Sequence, residues 1–221
     1  LHAIYLINMG TADPFKLDQG VQSLKNYMTL AADLDAAGVI FHIGSHLGAG
    51  FESIFLQVVA AIQEVLEHSP EGPNLAMENM AGMGQHIGAK FDELGRILKA
   101  VDSPRLRVCL DTQHSFAAGS DMATLSGVEA MITEFDDAVG LENLVAVHAN
   151  DSKKPIGSGV DRHANIGDGY IGETGFEAII SNPAFQDLPF FLEVPGQEGK
   201  GPDQYNIDLL KEIRQRVGLG S

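Results

Sequence analysis

Cysteine is almost absent from this chain. Cys109 is the only one, set in an apolar strand-like run, so no disulfide framework holds the fold together. Basic residues are also scarce. Lys and Arg number 14 against 30 Asp and Glu, a formal net charge of −16. Taken alone, that deficit argues against nucleic acid, because phosphate binding usually shows as a basic face. It leaves two readings, a solvated acidic surface or carboxylates that serve as metal ligands. No apolar run approaches the roughly 18 residues a membrane span needs, and no signal-peptide pattern is present. The expectation is a cytoplasmic protein without membrane association. An initiator methionine is missing too: the chain opens mid-pattern at "LHAIYLIN", as a fragment or trimmed chain would. No low-complexity segment or linker interrupts the 221 residues, which therefore read as one domain, 1–221.

What is present is an alternation. Short, near-continuously apolar stretches at 38–43, 74–78, 106–111, 144–149 and 189–194 have the character of strands buried on both faces. Amphipathic stretches lie between them. Phe55, Val58, Val59, Ile62 and Leu66 form one helical stripe, and Phe91, Leu94, Ile97, Leu98 and Val101 a second. Leu125, Val128, Met131, Ile132 and Phe135 form a third. A helix near 18–36 precedes the first strand, and one near 203–217 closes the chain with Asp203 as N-cap. Such alternation implies a parallel sheet with right-handed crossovers, either doubly wound or a TIM (β/α)8 barrel. A dinucleotide-binding sheet would show a Gly-rich fingerprint, but "GSHLGAG" at 44–50 lacks the spacing. One long irregular stretch, 150–172, is of the length that usually carries function.

Each strand candidate ends in, or one residue short of, a potential ligand: His42, Glu78, Asp111, His148 and Glu193. In a parallel barrel these ends converge on the face where active sites lie. Imidazole and carboxylate suit zinc, manganese or iron, and a carboxylate can bridge two ions. His114, Asp161, His163 and His2 are further candidates. Each has an ordinary reading. A strand-end acid often caps a helix or joins an ion pair, and Asp161-Arg162 could be a surface pair. Isolated histidines such as His46, His68 and His86 read as surface or packing residues.

At this point the residues resemble endonuclease IV, the zinc-dependent apurinic/apyrimidinic endonuclease family. The motifs are "FHIGSHLG" at 41–48, "MENMAGMG" at 77–84, "DTQHSFAAGSD" at 111–121 and "HANDSKKPIGSGVDRHANIGDGYIG" at 148–172. The resemblance runs to about residue 215. It implies a TIM barrel and nine ligands for three zinc ions, with manganese an alternative at one or more sites. His2, His42 and Glu78 would hold one ion. Glu78 would bridge to a second, held by Asp111, His148 and Glu193. His114, Asp161 and His163 would hold the third. Three dications would outweigh the four ligand carboxylates, so a site inside an acidic protein would still suit a phosphodiester. The implied reaction cuts duplex DNA 5′ to an abasic sugar, and Glu193 would orient or activate the nucleophile. The family also repairs blocked 3′ ends. Tyr5 and Leu6 match the positions that wedge into DNA, against an ordinary reading as core residues. Lys153, Lys154 and Arg162 are phosphate-contact candidates.

Two positions depart from the family pattern: Ile43 stands for a proline and Gln113 for a cysteine. The family barrel also begins two and a half βα units earlier, so an N-terminally incomplete barrel is expected here. It would be monomeric if complete and prone to self-association at exposed edges if truncated. The competing reading is a sugar isomerase or epimerase of the xylose-isomerase-like barrels, which would use Glu78, Asp111, His148 and Glu193 but not the His114, Asp161 and His163 set. A truncated, inactive homologue is the third reading.

Overall fold

The structure, a computed structural model, describes residues 1–220. Helix α1 spans Pro14–Asp33, starting four residues ahead of the expected position. The reason is local: the Asp13 carboxylate accepts the amides of Phe15 and Lys16, and Pro14 occupies the first helical position, where its missing N–H costs nothing. Strand β1 is Gly38–His42, α2 Phe51–Glu67, β2 Asn74–Glu78, α3 Phe91–Val101 and β3 Leu106–Asp111. A seven-residue helix, α4 (Thr112–Ala118), comes between β3 and α5 (Leu125–Val139). Then follow β4 (Leu144–His148), β5 (Asp151–Ser152), β6 (His163–Ala164), α6 (Gly172–Ser181), β7 (Phe190–Phe191) and α7 (Gln204–Arg216). Asp203 caps α7 as expected, accepting the Asn206 amide.

The main sheet runs in the order β1-β2-β3-β4-β7, with β1–β2, β2–β3 and β4–β7 parallel. Strands β5 and β6 make a separate antiparallel pair within the long loop. Contacts group the chain into two compact units. One comprises Leu1–Met80, Gly84–Cys109 and Ala138–Val145; the other comprises Ala81–Met83, Leu110–Asp137 and everything from Ala146 onward.

In the first unit, β1 and β2 bury Val39, Phe41, Leu75 and Met77 completely, as strands covered on both faces do. Helix α2 buries Ile54, Val58, Val59, Ile62 and Leu66, but Phe55 is only half-buried. It lies on the rim, where the Arg96 guanidinium stacks over it at 5.0 Å and over Phe51 at 4.9 Å. Leu98 of α3 is likewise half-buried. The end of α2 is tied down by Arg105, which donates to the carbonyls of Leu66, Pro70 and Pro73.

In the second unit, Val128, Met131 and Phe135 face inward from α5, whereas Leu125 is exposed and Ile132 half-buried. Leu125 opens the helix, with exposed Thr124 and Ser126 on either side. The last strand is shorter than the expected 189–194: only Phe190 and Phe191 pair, beside Val147 and His148.

Candidate metal centre

In the first unit, parallel register puts His42 directly opposite Glu78. Paired residues on neighbouring strands project to the same face, so the two side chains meet. The segment Leu1–Ala3 runs beside β1, with the Ala3 amide on the Ile40 carbonyl and the Ile40 amide on the Leu1 carbonyl, both 2.8 Å. His2 bridges Ile40, two residues before His42 and hence on the same face. As a result Glu78 Oε2 lies 3.0 Å from both His2 Nε2 and His42 Nε2. Glu78 is completely buried. His2 Nδ1 lies 2.8 Å from its neighbour's carbonyl, Ala3 O, and donates its proton there, so that Nε2, 3.0 Å from Glu78, is the nitrogen that would serve a cation.

In the second unit, Asp111 ends β3 and caps α4. Its Oδ1 accepts the His114 amide at 2.8 Å. Its Oδ2 accepts the Asn150 side-chain amide at 2.6 Å and stands 3.9 Å from His163 Nε2 and 4.0 Å from His148 Nδ1. One carboxylate therefore caps a helix and faces two imidazoles. His148 Nδ1 is 3.3 Å from Glu193 Oε2. Asp161 lies between two imidazoles, 3.4 Å from His114 Nε2 and 3.2 Å from His163 Nε2. His163 Nδ1 meets the Glu193 carbonyl at 3.2 Å.

Burial would push the Asp161 carboxyl up, but hydrogen bonds and charge from His114 and His163 outweigh it and hold it well below the usual carboxylate range. Burial would depress His163, yet the Asp161 hydrogen bond and the charges of Asp111 and Asp161 raise it.

The donor atoms fit a divalent cation. Two ligands each about 2.05 Å from a tetrahedral zinc are about 3.3 Å apart. Within the three expected sets, the pairs His2–Glu78, His42–Glu78, His148–Glu193, His114–Asp161 and His163–Asp161 are 3.0 to 3.4 Å apart and bracket that value, while His148–Asp111 is longer at 4.0 Å. The ligand atoms of Asp111, His148 and Glu193 lie within 4.8 Å of one another, as do those of Asp111, His114 and His163. Zinc or manganese would find imidazoles and carboxylates here, the donor types both accept.

Several residues around these ligands were not candidates for the site, although they lie in the quoted motifs and Gln113 stood out as a departure from the family pattern. Asn150 is buried and joins two of them, donating to Asp111 Oδ2 and accepting the Glu193 amide at 2.8 Å. The Thr112 hydroxyl accepts the Asn150 amide at 3.0 Å and donates to the Asn150 carbonyl at 2.7 Å, which fixes the chain just past His148. Gln113, fully buried, donates to the Val160 carbonyl at 3.0 Å, next to Asp161. Their partners are distant in sequence; only the run of polar residues beside His148 could have drawn attention to Asn150.

Tyr5 and Leu6 are not core residues: they are 56% and 83% exposed. The Tyr5 ring stands edge-on to His42, 4.9 Å away. Lys153, Lys154 and Arg162 are exposed on the long loop. No helix among the described residues is long and apolar enough to cross a membrane.

Residues 1–214 match a family model described as the xylose isomerase-like TIM barrel. A protein of Halothermothrix orenii named "Probable endonuclease 4" is 40% identical over 212 residues, which cover 96% of this chain and 76% of that protein. The crystal structure of endonuclease IV from Thermus thermophilus matches with a TM-score of 0.84 at 35% identity, covering 98% of this chain and 75% of the other. A D-tagatose 3-epimerase-like protein matches with a TM-score of 0.74 at 20% identity, a likeness of fold alone.

Proposed function

Because this chain belongs to the xylose isomerase-like TIM-barrel family, and within it to the endonuclease 4 group, we propose that it cuts duplex DNA on the 5′ side of abasic sites. It is a phosphodiester hydrolase acting on DNA. The products would be a 3′-hydroxyl and a 5′-deoxyribose phosphate, and the same site would clear blocked 3′ ends. Residues 1–221 act as one functional domain of the barrel class, working in the cytoplasm.

Three divalent ions, zinc foremost and manganese at one or more positions, would be held by the nine residues His2, His42, Glu78, Asp111, His114, His148, Asp161, His163 and Glu193. Such ions supply Lewis acidity toward the phosphoryl group and lower the pKa of the attacking water. The chain's own groups do the rest. Glu193, held through its backbone by Asn150 and partly open to solvent, orients that water and takes its proton. Glu78, with no solvent contact, would help hold the ions as a buried carboxylate beside His2 and His42. His114, Asp161 and His163 would hold positive charge beside the departing 3′-oxygen, where negative charge develops. Tyr5 and Leu6, exposed as a wedge must be, enter the minor groove opposite the flipped abasic sugar. Lys153, Lys154 and Arg162 hold phosphates.

The observation that carries this reading is the His114–Asp161–His163 cluster. An epimerase of the same fold would need Glu78, Asp111, His148 and Glu193 alone. The test is incision of a duplex carrying one abasic analogue, with and without chelator, beside metal counting on the purified protein. Chelator-sensitive incision 5′ to the lesion with three zinc equivalents is expected. A folded, metal-loaded protein that leaves the duplex intact would refute the assignment, and a single manganese per chain would favour the epimerase.

A further inference from the structure

The loop from β5 to α6 carries Asp161 and His163, yet apart from β5 and β6 it has no regular structure. Such a segment keeps one conformation only where its backbone polar groups find partners. Here a single buried side chain gathers both ends. The Asp151 carboxylate is fully buried. Its Oδ1 accepts the amides of Ser152 and Ile171 at 2.7 and 2.9 Å. Its Oδ2 accepts those of Gly167, Gly169 and Gly172 at 3.0, 3.0 and 3.2 Å. Ser152 lies where the loop begins, and residues 167–172 where it enters α6.

The fit is close. A Cβ on Gly169 would stand 2.3 Å from Asp151 Oδ1, so only glycine lets the chain approach. Asp151 is also tied to the ligand-bearing strand: it pairs with Ala164, and Ser152 pairs with His163. The middle of the loop has its own anchors. Gln113 donates to the Val160 carbonyl, and the amides of Gly157 and Gly159 donate to the carbonyls of Phe116 and Ala117 at the end of α4. None of these groups is a ligand candidate. Five amides fill the roughly four acceptor positions of the Asp151 carboxylate, leaving nothing for a cation.

We propose that Asp151 is a positioning residue: it closes the 152–172 loop from inside, so that Asp161 and His163 are set in ligand geometry by the chain and not by a bound ion. This rests on reading His114, Asp161 and His163 as a metal set. An Asp151→Asn change keeps the volume but replaces one acceptor oxygen with a donor. Whichever way the amide turns, at least two backbone amides lose their partner and face an N–H instead.

The test uses the full chain, stripped of metal and then reloaded with zinc. Trypsin cleavage after Lys153 and Arg162, both exposed, is timed by mass spectrometry, with circular dichroism confirming that each variant is folded. Wild-type loop bonds are expected to resist trypsin equally with and without zinc. In the metal-free Asp151→Asn protein they should be cut about tenfold faster or more, and zinc should restore protection. One zinc equivalent of the variant should also bind about 10- to 100-fold more weakly in chelator competition, the size expected for loss of a group that orients ligands. His114→Ala identifies which equivalent that is.

A wild-type loop cut rapidly without zinc and protected by it would overturn the proposal, because the ion would then be the organiser. So would a folded Asp151→Asn protein cut no faster than wild type. If His114→Ala removes no zinc, the metal reading fails, while the trypsin comparison still decides whether Asp151 holds the loop. Should Asp151→Asn not fold, hydrogen exchange of the wild-type Gly167, Gly169 and Ile171 amides decides instead: protection that is equal with and without zinc is expected, and protection that appears only with zinc would overturn the proposal.

Discussion

Two glycines in helices of the first unit should respond to alanine with opposite signs. Glycine inside a helix costs about 0.5–1 kcal/mol relative to alanine, so propensity alone says that Gly20→Ala in α1 and Gly95→Ala in α3 both stabilise. At Gly20 nothing opposes this. A Cβ there would meet the Met9 and Ile7 side chains at 3.5 and 3.6 Å, ordinary contact, and a gain of about 0.5–1 kcal/mol is expected. At Gly95 the Cβ would stand 1.8 Å from the Ala138 carbonyl oxygen and 2.8 Å from its carbon. Carbon and oxygen rest about 3.3 Å apart or more, so the backbones must separate by about 1.5 Å. That spreads a contact flanked by the buried Leu94 and Ile97. Overpacking of this kind costs about 1–3 kcal/mol, and backbone is harder to displace than a flexible side chain. After subtracting the propensity gain, about 0–2.5 kcal/mol of destabilisation is left, and the backbone obstacle puts Gly95→Ala toward the upper end. Both sites report on one unit, so urea unfolding of the metal-free protein, followed by circular dichroism at constant m, compares them directly. A Gly95→Ala protein whose midpoint rises as far as that of Gly20→Ala would refute the close approach.

Other outcomes follow from the ligand sets. Glu78→Gln should keep the circular dichroism spectrum while losing bound zinc and abolishing incision of an abasic duplex; near-normal incision would undermine the bridging role. Arg162→Ala should raise KM for that duplex with little change in kcat, and reduce the salt dependence of binding by about one ion; an unchanged salt slope would remove Arg162 from the phosphate contacts. In the metal-free protein, the raised pKa of His163 makes its pairing with Asp161 fully stabilising below the unfolded imidazole value of about 6.5 and lost as pH rises through the folded value. The depressed Asp161 contributes in the other direction, above the unfolded carboxylate value of about 3.9, and is lost only as pH falls far below it. Wild type should thus lose more stability than Asp161→Asn between about pH 5.5 and about pH 8.5, read from urea midpoints at each pH; equal losses would show the pair to be inert.

The regular elements were legible where periodicity is clean. Val58, Val59 and Ile62 of α2 and Phe91, Leu94 and Ile97 of α3 face inward as their spacing implies. Helix α4 was not, because Thr112 to Ala117 are buried on every side and show no 3.6-residue alternation. Leu125 and Phe55 satisfy the period yet lie at the margin of the packed face, and hydrophobic identity does not say where that margin falls. Asn150 and Asp151 went unremarked as structural residues because each acts through partners many residues away, and Gln113 stood out only as a departure from the family pattern.

From the order of its residues alone, this chain declares an alternating parallel α/β architecture, the donor types at the strand ends and its family. These are local or compositional properties, since strand burial, helix faces and motif spacing repeat over a few residues. Tertiary structure decided what each polar atom does. It divided Asp111 between capping α4 and facing the imidazoles, and exposed Tyr5 and Leu6. It also turned Asp151 inward to gather its loop and brought a backbone carbonyl to within 1.8 Å of where a Cβ on Gly95 would lie. Those outcomes depend on strand register and on close-packing between segments far apart in the chain, and short-range pattern carries neither.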